Sequence, residues 1–145
     1  DGLIDHLTKF LLELGAGFAF VGRQYKINVD GDDYSIDLLF YHLRLHCYVV
    51  IDLKVVKFKP EFAGKLNFYI SAVDSQVRSG VDGPTLGILI CKSKSDITVE
   101  YSLRDMTKPM GVSEYQITEN LPNELKSSLP TIEQIEAELG ALDDE

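Results

Sequence analysis

Two long apolar runs, joined by a short polar loop, stand out in the hydrophobic pattern of residues 34–56. They predict a β-hairpin with the two-residue loop Arg44-Leu45, in which the numbers of facing residues sum to 89. An alternating run, Phe18 to Val29, precedes the hairpin and is joined to it through Asp30-Gly31, a strong turn signal. The pattern therefore predicts an antiparallel meander of three strands.

Apolar residues at helical spacing predict helices on both sides of this meander along the chain. Leu3 to Leu14 forms the first, with Gly15 following where a helix end favours glycine, and Pro60 to Val77 forms the second. The alternation within Ser95 to Met106 fits a strand, but a capping residue at its start and the α/β context favour a helix.

Two shorter apolar runs complete the predicted sheet. Thr85 to Cys91 has strand length, and its position after a helix implies a parallel crossover, while Gly111 to Ile117 predicts a last short strand. The order α-β-β-β-α-β-α-β corresponds to an α/β fold with a mixed sheet and helices on both faces. We expect one domain over residues 1–117 and a tail with short helices over residues 118–145.

One face of the predicted hairpin is apolar throughout, whereas the other face carries charged residues among apolar ones. The register places Asp37 opposite Asp52 and Ser35 opposite Lys54. Like charges that face each other across two strands destabilise the pair, and removing an ion from water costs several kcal/mol. A divalent cation between the carboxylates would offset this cost, and the alternative is an internal salt bridge at the end of the sheet.

Further candidates lie near these three residues. Glu13 is in the last turn of the first predicted helix, from where it could complete an acidic cluster. The turn at Asp30-Gly31 fixes the parity of the preceding strand and places Gln24 and Lys26 on the face of Asp37, one of them directly opposite it.

The net charge of -9 at first argues against a nucleic-acid partner, but the charge is unevenly distributed along the chain. Residues 118–145 hold eight acids and one base, a charge of -7, which leaves -2 for residues 1–117. The acidic excess is therefore a property of the tail, and a nearly neutral body is compatible with a nucleic-acid partner.

Other classes of protein and site are disfavoured. No apolar run reaches about 18 residues and no signal peptide is recognisable, so we expect no membrane association. Cys47 and Cys91 lie in apolar runs, which predicts core residues and a reducing, cytoplasmic location. His42 and His46 flank the hairpin loop without facing each other, which disfavours a zinc site. The chain begins Asp-Gly without Met, which suggests a fragment of a longer protein.

The spacing of the charged residues Asp37, Asp52 and Lys54 is similar to that of a known protein superfamily. Asp37, fourteen intervening residues and then Asp52-x-Lys54 resemble the PD-(D/E)XK nuclease signature. At finer scale, residues 5–117 resemble the C-terminal nuclease domain of the bacterial YhcG-like proteins, with Asp52 where that family usually carries Glu.

The resemblance implies a restriction-endonuclease-like fold and a metal-dependent nuclease, most simply a DNA endonuclease. Many members of the superfamily carry Gln and Tyr one turn apart on the crossover helix, and here Lys65 and Tyr69 hold that spacing as candidate substrate contacts. The resemblance also implies that a helical, DNA-binding-like region precedes the fragment in the full-length protein.

The residue types fit hydrolysis by a water molecule that a metal ion activates. Mg²⁺, or Mn²⁺ as a substitute, prefers oxygen ligands, which Asp37, Asp52 and the Leu53 carbonyl would supply. Lys54 would orient the attacking water and counter charge on the phosphate, and Gln24 would hold the water or a phosphate oxygen. An inactive, protein- or nucleic-acid-binding domain, an RNA nuclease and a homodimer that cuts both strands all remain open alternatives.

Overall fold

The computed structural model of the protein describes residues 17–113 and 117–119, which form a sheet with the strand order β1-β2-β3-β4-β5-β6. The strands are β1 (Phe18–Val29), β2 (Asp32–His42), β3 (Cys47–Lys57), β4 (Leu86–Ser93), β5 (Met110–Ser113) and β6 (Ile117–Glu119). The helices are α1 (Pro60–Gln76) and α2 (Asp96–Leu103). β1, β2 and β3 pair antiparallel, β3, β4 and β5 pair parallel, and β6 returns antiparallel to β5. The predicted mixed α/β sheet is thus confirmed.

The first hairpin forms as its turn residues predict. Asp30 and Gly31 have φ angles of 53° and 87°, the left-handed conformations that suit a two-residue hairpin turn. Val29 faces Asp32 across this turn, so facing numbers sum to 61 until a β-bulge interrupts the register between Phe20 and Gly22. The predicted strand Phe18 to Val29 is confirmed at both ends.

The second hairpin has the predicted register but a longer loop. Pairing runs from Leu38 with Ile51 to His42 with Cys47, and these numbers sum to 89 as expected. The strands nevertheless stop at His42 and Cys47, so the loop has four residues and the two-residue loop Arg44-Leu45 was wrong. His42 closes this turn, because its carbonyl accepts from the His46 N–H at 2.8 Å and its Nδ1 accepts from the Leu45 N–H at 3.2 Å.

The helix α1 covers one face of the sheet and packs tightly against β4. A Cβ atom added to Gly87 would lie 2.6 Å from Ile70 Cδ1 and 2.9 Å from Leu66 Cγ, so only glycine permits this approach. Leu66 and Ile70 are fully buried, and each such side chain contributes about 2 kcal/mol through burial. The same core cluster includes Val99 and Leu103 of α2, so both described helices share it.

The helix predicted at Ser95 to Met106 is confirmed as α2, and Ser95 caps it by accepting from the Thr98 N–H. The single strand predicted at Gly111 to Ile117 is instead the antiparallel pair β5 and β6, because the chain reverses between them. The predicted helix Leu3 to Leu14 and the tail 120–145 lie outside the described residues.

Alternate residues of β2 and β3 form a second buried set, which includes Leu38, Phe40, Val49 and Ile51. The face of the sheet that carries this second set is not covered by α1 or α2, so a helix on that face remains a prediction. Cys47 and Cys91 are buried, and neither forms a disulfide within the residues that the structure describes. Within the described ranges no helix combines the length and the apolar character needed to cross a membrane.

Candidate active site

The first site residue, Asp37, lies where the backbone ladder between β2 and β3 ends. The ladder stops at Leu38 and Ile51, so the predicted pairs of Asp37 with Asp52 and Ser35 with Lys54 are not part of it. Instead, the Asp37 carboxylate takes the place of a backbone acceptor, with its Oδ2 accepting from the Leu53 N–H at 2.8 Å. This bond fixes the carboxylate of β2 against the backbone of β3.

Asp52 and Lys54 follow on β3, two residues apart and hence on one face of the strand. The Lys54 Nζ lies 3.5 Å from Asp52 Oδ1. Asp52 is only 2% exposed, and its Oδ2 is buried without a hydrogen-bond partner among the described residues. An ionised carboxylate in this position is costly, because its second oxygen has lost water without gaining a donor from residues 17–113 or 117–119.

The electrostatics of Asp52 reflect this lack of donors. The pKa of Asp52 is raised from an ordinary 3.8 to about 6, chiefly by burial and also by the adjacent Asp37 carboxyl, which is a partner of the protonated form and acts through its charge. The charges of Lys54 and Lys65 lower this pKa without cancelling the effect of burial. Asp52 therefore keeps its proton to a higher pH than an exposed carboxyl group does.

The oxygen atoms around Asp52 fit a hard divalent cation. Asp52 Oδ2 needs a partner, and Asp37 brings a second carboxylate to the same place. The N–H and C=O of one strand residue point to the same side, so the Leu53 carbonyl also points toward β2, beyond the end of the ladder. Mg²⁺ commonly takes one or two carboxylates and keeps several waters, which matches this set. No group of three or more His, Cys, Asp or Glu side chains forms in residues 17–113 and 117–119.

Aromatic side chains of α1 border the charged residues. The Lys54 Nζ lies 5.7 Å from the centre of the Phe62 ring, and the Lys65 Nζ lies 5.7 Å from the centre of the Tyr69 ring. Burial raises the pKa of Tyr69, and the negative charge of Asp52 raises it further. Both distances are within the range of cation–π contacts, and of the two lysines Lys65 is exposed.

Gln24 and Lys26 lie on β1, next to β2. Gln24 sits between the paired positions that face Leu38 and Ile36, and its φ of 48° is in the left-handed region. Its Oε1 accepts from the Ser35 Oγ at 2.9 Å. Lys26 is exposed and faces Ser35 across the strands. The structure thus brings Gln24 to Ser35, next to Asp37 in sequence, rather than to the Asp37 carboxylate itself.

The comparison with protein families adds a sequence-level finding to this geometry. Residues 1–130 match the family described as the YhcG PDDEXK nuclease domain. The chain belongs to this family. A relative, YhcG of Escherichia coli (strain K12), is 38% identical over 124 residues, which cover 86% of this chain and 32% of that protein. The YhcG-type chain therefore spans about a third of the length of its curated relative.

Solved structures show the same fold at much lower sequence identity. A repair endonuclease from Pyrococcus abyssi has a TM-score of 0.51 and 14% identity, and the match covers 78% of this chain and 43% of that one. EndoMS in a complex with double-stranded DNA has a TM-score of 0.54 and 16% identity, with coverage of 76% and 44%. The YhcG-type domain accordingly has the fold of these endonucleases.

Of the predicted site residues, the structure places Asp37, Asp52, Leu53 and Lys54 of the YhcG-type domain together. Tyr69 and Lys65 border them, Gln24 and Lys26 lie one strand away, and Glu13 lies outside the described residues. Sequence reasoning missed Phe62 as a neighbour of Lys54. A signal was available, since Phe62 precedes Lys65 by three residues and so shares its side of the helix.

Proposed function

We propose that this domain is a divalent-metal-dependent nuclease that cleaves DNA endonucleolytically. The observation that carries the proposal is the Asp52 carboxylate, which is buried beside a second carboxylate and has an oxygen to which no described residue donates. Membership of a nuclease family supports the reaction class, and the oxygen atoms around Asp52 support a metal ion as the missing partner.

In this proposal each residue has a distinct role. Asp37, Asp52 and the Leu53 carbonyl hold the cation. Bound Mg²⁺ lowers the pKa of its water ligands and offsets negative charge on the phosphate. Lys54, held between Asp52 Oδ1 and the Phe62 ring, donates to a phosphate oxygen where charge develops in the transition state. Lys65 adds positive charge at the exposed side of the same site.

DNA is the substrate we infer for this site. The fold is shared with EndoMS, which has been solved with double-stranded DNA, and this supports DNA over RNA. The match covers 32% of the E. coli relative, so that protein has further regions, and we propose that one of them is a helical, DNA-binding-like region that precedes the domain. We also propose that the full-length protein is bacterial and cytoplasmic, and that it forms a homodimer in order to cut both strands of the DNA.

Covalently closed plasmid provides the direct test, because it has no ends and its nicking or linearisation requires internal cleavage. The chain is incubated with plasmid in Mg²⁺, in Mn²⁺ and in EDTA, and a structured RNA is added as a competitor. We expect cleavage with either metal ion, none in EDTA and little competition by RNA. Asp52→Asn and Lys54→Gln should each lower the rate by more than about 100-fold.

Two exposed residues outside the site provide matched controls. Asp105→Asn removes a carboxylate, and Arg104→Gln removes a base whose partner is the exposed Glu100. Both variants should cleave at the parent rate. The proposal is wrong if Asp52→Asn cleaves like the parent, or if no metal ion yields cleavage although the parent binds the plasmid. The latter result would instead support an inactive, nucleic-acid-binding domain.

A further inference from the structure

The aromatic ring of Phe62 is held at a fixed place beside the candidate active site. Phe62 lies in the first turn of α1, and its ring meets the Phe58 ring edge-on, with 6.4 Å between the ring centres and an interplanar angle of 85°. Phe58 is 3% exposed, and its N–H donates to the Ser93 carbonyl of β4 at 2.7 Å. The segment between β3 and α1 is thus bonded to β4, and this bond helps to fix the Phe62 ring.

Lys54 contacts two groups of different kinds. Its Nζ lies 3.5 Å from Asp52 Oδ1, which is longer than the roughly 2.8 Å of a strong charge-assisted hydrogen bond. The same Nζ lies 5.7 Å from the centre of the Phe62 ring, within the range of about 6 Å over which an aromatic face attracts an ammonium group. The side chain of Lys54 is 23% exposed, so salt screens both interactions less than it would at the surface.

The two contacts differ in what they do to the charge of Lys54. A carboxylate neutralises an ammonium group, as Asp74 does for Lys108 at 3.3 Å. An aromatic ring attracts an ammonium group without carrying a net charge. A residue that stabilises developing charge on a phosphate needs its own positive charge for that purpose. The Phe62 ring therefore holds Lys54 and leaves its charge available to an anion.

The contact with the ring also differs from the contact with Asp52 in its relation to the proposed cation. In the proposed function Asp52 binds the cation, and a second positive charge there weakens the attraction of Asp52 for the Lys54 ammonium group. Phe62 has no side-chain oxygen to offer to a hard cation such as Mg²⁺. Its attraction for Lys54 consequently does not depend on whether Asp52 is occupied.

We propose that Phe62 is a positioning residue, whose ring holds the Lys54 ammonium group in place for the phosphate at which DNA is cut. In this proposal Phe62 acts through Lys54 and needs no contact of its own with DNA. The inference rests on the proposed function for the role of Lys54 in cleavage. The attraction between Lys54 and the ring, however, can be measured in a chain that never cleaves.

A double-mutant cycle in urea unfolding measures this attraction. The parent, Phe62→Leu, Lys54→Met and the double variant are unfolded in EDTA, because leucine keeps an apolar side chain and methionine keeps the stem of the lysine without its charge. The effect of Phe62→Leu on the unfolding equilibrium constant should be smaller by about two- to fivefold in the Lys54→Met background. Phe62→Tyr keeps an aromatic ring and should show no such difference between the two backgrounds.

Rates of plasmid cleavage provide a second measurement. Phe62→Leu should lower kcat about fivefold and leave KM for DNA unchanged, because Lys54 acts on charge that develops in the transition state. Phe62→Tyr should cleave with the parent kcat, and Phe62→Leu should have no further effect in the Lys54→Met background. Phe68→Leu is the matched control, since it changes another half-buried ring of α1, one that contacts Tyr34, and it should cleave with the parent kcat.

The two proposals fail separately. Additive effects of Phe62→Leu and Lys54→Met on unfolding overturn the role of Phe62, whether or not the chain cleaves DNA. So does a parent-like kcat for Phe62→Leu, and so does a Phe62→Tyr variant that cleaves as slowly as Phe62→Leu. These results leave the nuclease intact. A parent that shows the coupling in unfolding but never cleaves plasmid contradicts the nuclease and supports the attraction between Lys54 and the ring.

Discussion

Two pairs of aspartates occupy opposite sides of the same fold, and their surroundings differ. The site pair, Asp37 and Asp52, lies at the end of the β2–β3 ladder, where Asp52 has an oxygen without a donor among the described residues. The loop pair, Asp74 and Asp82, lies around the segment that connects α1 to β4. Asp82 accepts from the Tyr41 hydroxyl at 2.6 Å and from the Ser79 N–H at 2.9 Å.

Asp74 is satisfied in the same way. Its carboxylate accepts from the Thr85 N–H at 3.0 Å and contacts Arg78 and Lys108. The Thr85 hydroxyl, also buried, can rotate to donate to the same carboxylate. Burial alone would raise the pKa of Asp74, but the hydrogen bonds from Thr85 and Lys108 lower it overall.

The opposite directions of these pKa shifts distinguish a carboxylate that is hydrogen-bonded within the fold, Asp74, from a buried one with an oxygen that lacks a donor among the described residues, Asp52. Asp74, with its lowered pKa, adds stability above its ordinary value of 3.8, and that stability is lost as the pH falls through the lower folded value. Asp52, with its raised pKa, costs stability as the pH rises from about 3.8 to about 6, and the full cost is present above that pH. Burial of the Asp52 carboxylate therefore weakens the fold at neutral pH, and a bound metal ion would remove this cost.

The largest effect on stability is expected at the loop pair. Asp74→Ala removes the acceptor of the Thr85 N–H and the partner of two bases, so we expect the free energy of unfolding to fall by about 3 to 4 kcal/mol. Urea unfolding at neutral pH measures this change, and Asp105→Asn is the control for an exposed carboxylate. A loss below about 1 kcal/mol would show that the loop pair stabilises the fold no more than surface ion pairs do.

At the site pair, removal of a carboxylate is expected to change the free energy of unfolding in the opposite direction. Asp52→Asn mimics the protonated carboxyl, and the difference between an ordinary pKa and about 6 corresponds to about 3 kcal/mol. In EDTA above pH 7 we therefore expect this variant to be more stable than the parent by about 2 to 3 kcal/mol. The difference should shrink as the pH falls from about 6 to 3.8, since the parent becomes protonated as well.

The pH series contains its own check. Asp105→Asn, measured beside Asp52→Asn, should follow the parent at every pH, because its carboxylate is exposed. A constant difference between Asp52→Asn and the parent from pH 4 to pH 8 would mean that the effect is not electrostatic. A less stable Asp52→Asn at neutral pH would place Asp52 with the loop pair, as a carboxylate that the fold needs.

Much of this fold could be predicted from the sequence because its signals are local. Asp30-Gly31 fixed the first turn, and the alternation in residues 34–56 fixed the register of the second hairpin. The loop of that hairpin could not be predicted, because it depends on how the ring of His42 accepts from the Leu45 N–H. The division of residues 110–119 into two strands was missed for a similar reason, since it depends on a reversal between two short apolar runs.

The sequence predicted which residues form the site better than it predicted the hydrogen bonds between them. Parity along β2 and β3 was enough to bring Asp37, Asp52 and Lys54 to one face. It could not show that Asp37 would bind the Leu53 N–H in place of a backbone partner, because the same parity fits an unbroken ladder. Nor could it distinguish Asp52 from Asp74 in advance, since hydrogen-bond donors from distant parts of the chain decide which carboxylate is satisfied.

Addition of a metal ion is expected to reduce the difference between the site pair and the loop pair in their effect on the free energy of unfolding. Mg²⁺ at about ten times its dissociation constant should stabilise the parent by about 1.4 kcal/mol, because it binds the folded state alone. Asp52→Asn lacks the charge that the site offers and should gain much less, whereas Asp105→Asn should gain as much as the parent. Thermal unfolding with and without Mg²⁺ measures these shifts, and equal shifts in all three proteins would place metal binding elsewhere.

The smallest effect concerns the strained residue beside the site pair. Gln24 has a φ of 48°, a conformation that glycine adopts without strain, and its side chain accepts from Ser35. Gln24→Gly relieves strain and loses one exposed hydrogen bond, so we expect a gain of about 0.5 kcal/mol, whereas Gln24→Ala loses the bond and keeps the strain. If Gln24 holds the attacking water or a phosphate oxygen, both variants should cleave about tenfold more slowly despite their opposite effects on stability. Parent-like cleavage by both would leave Gln24 as a support for Ser35 and confine the chemistry to the strands β2 and β3.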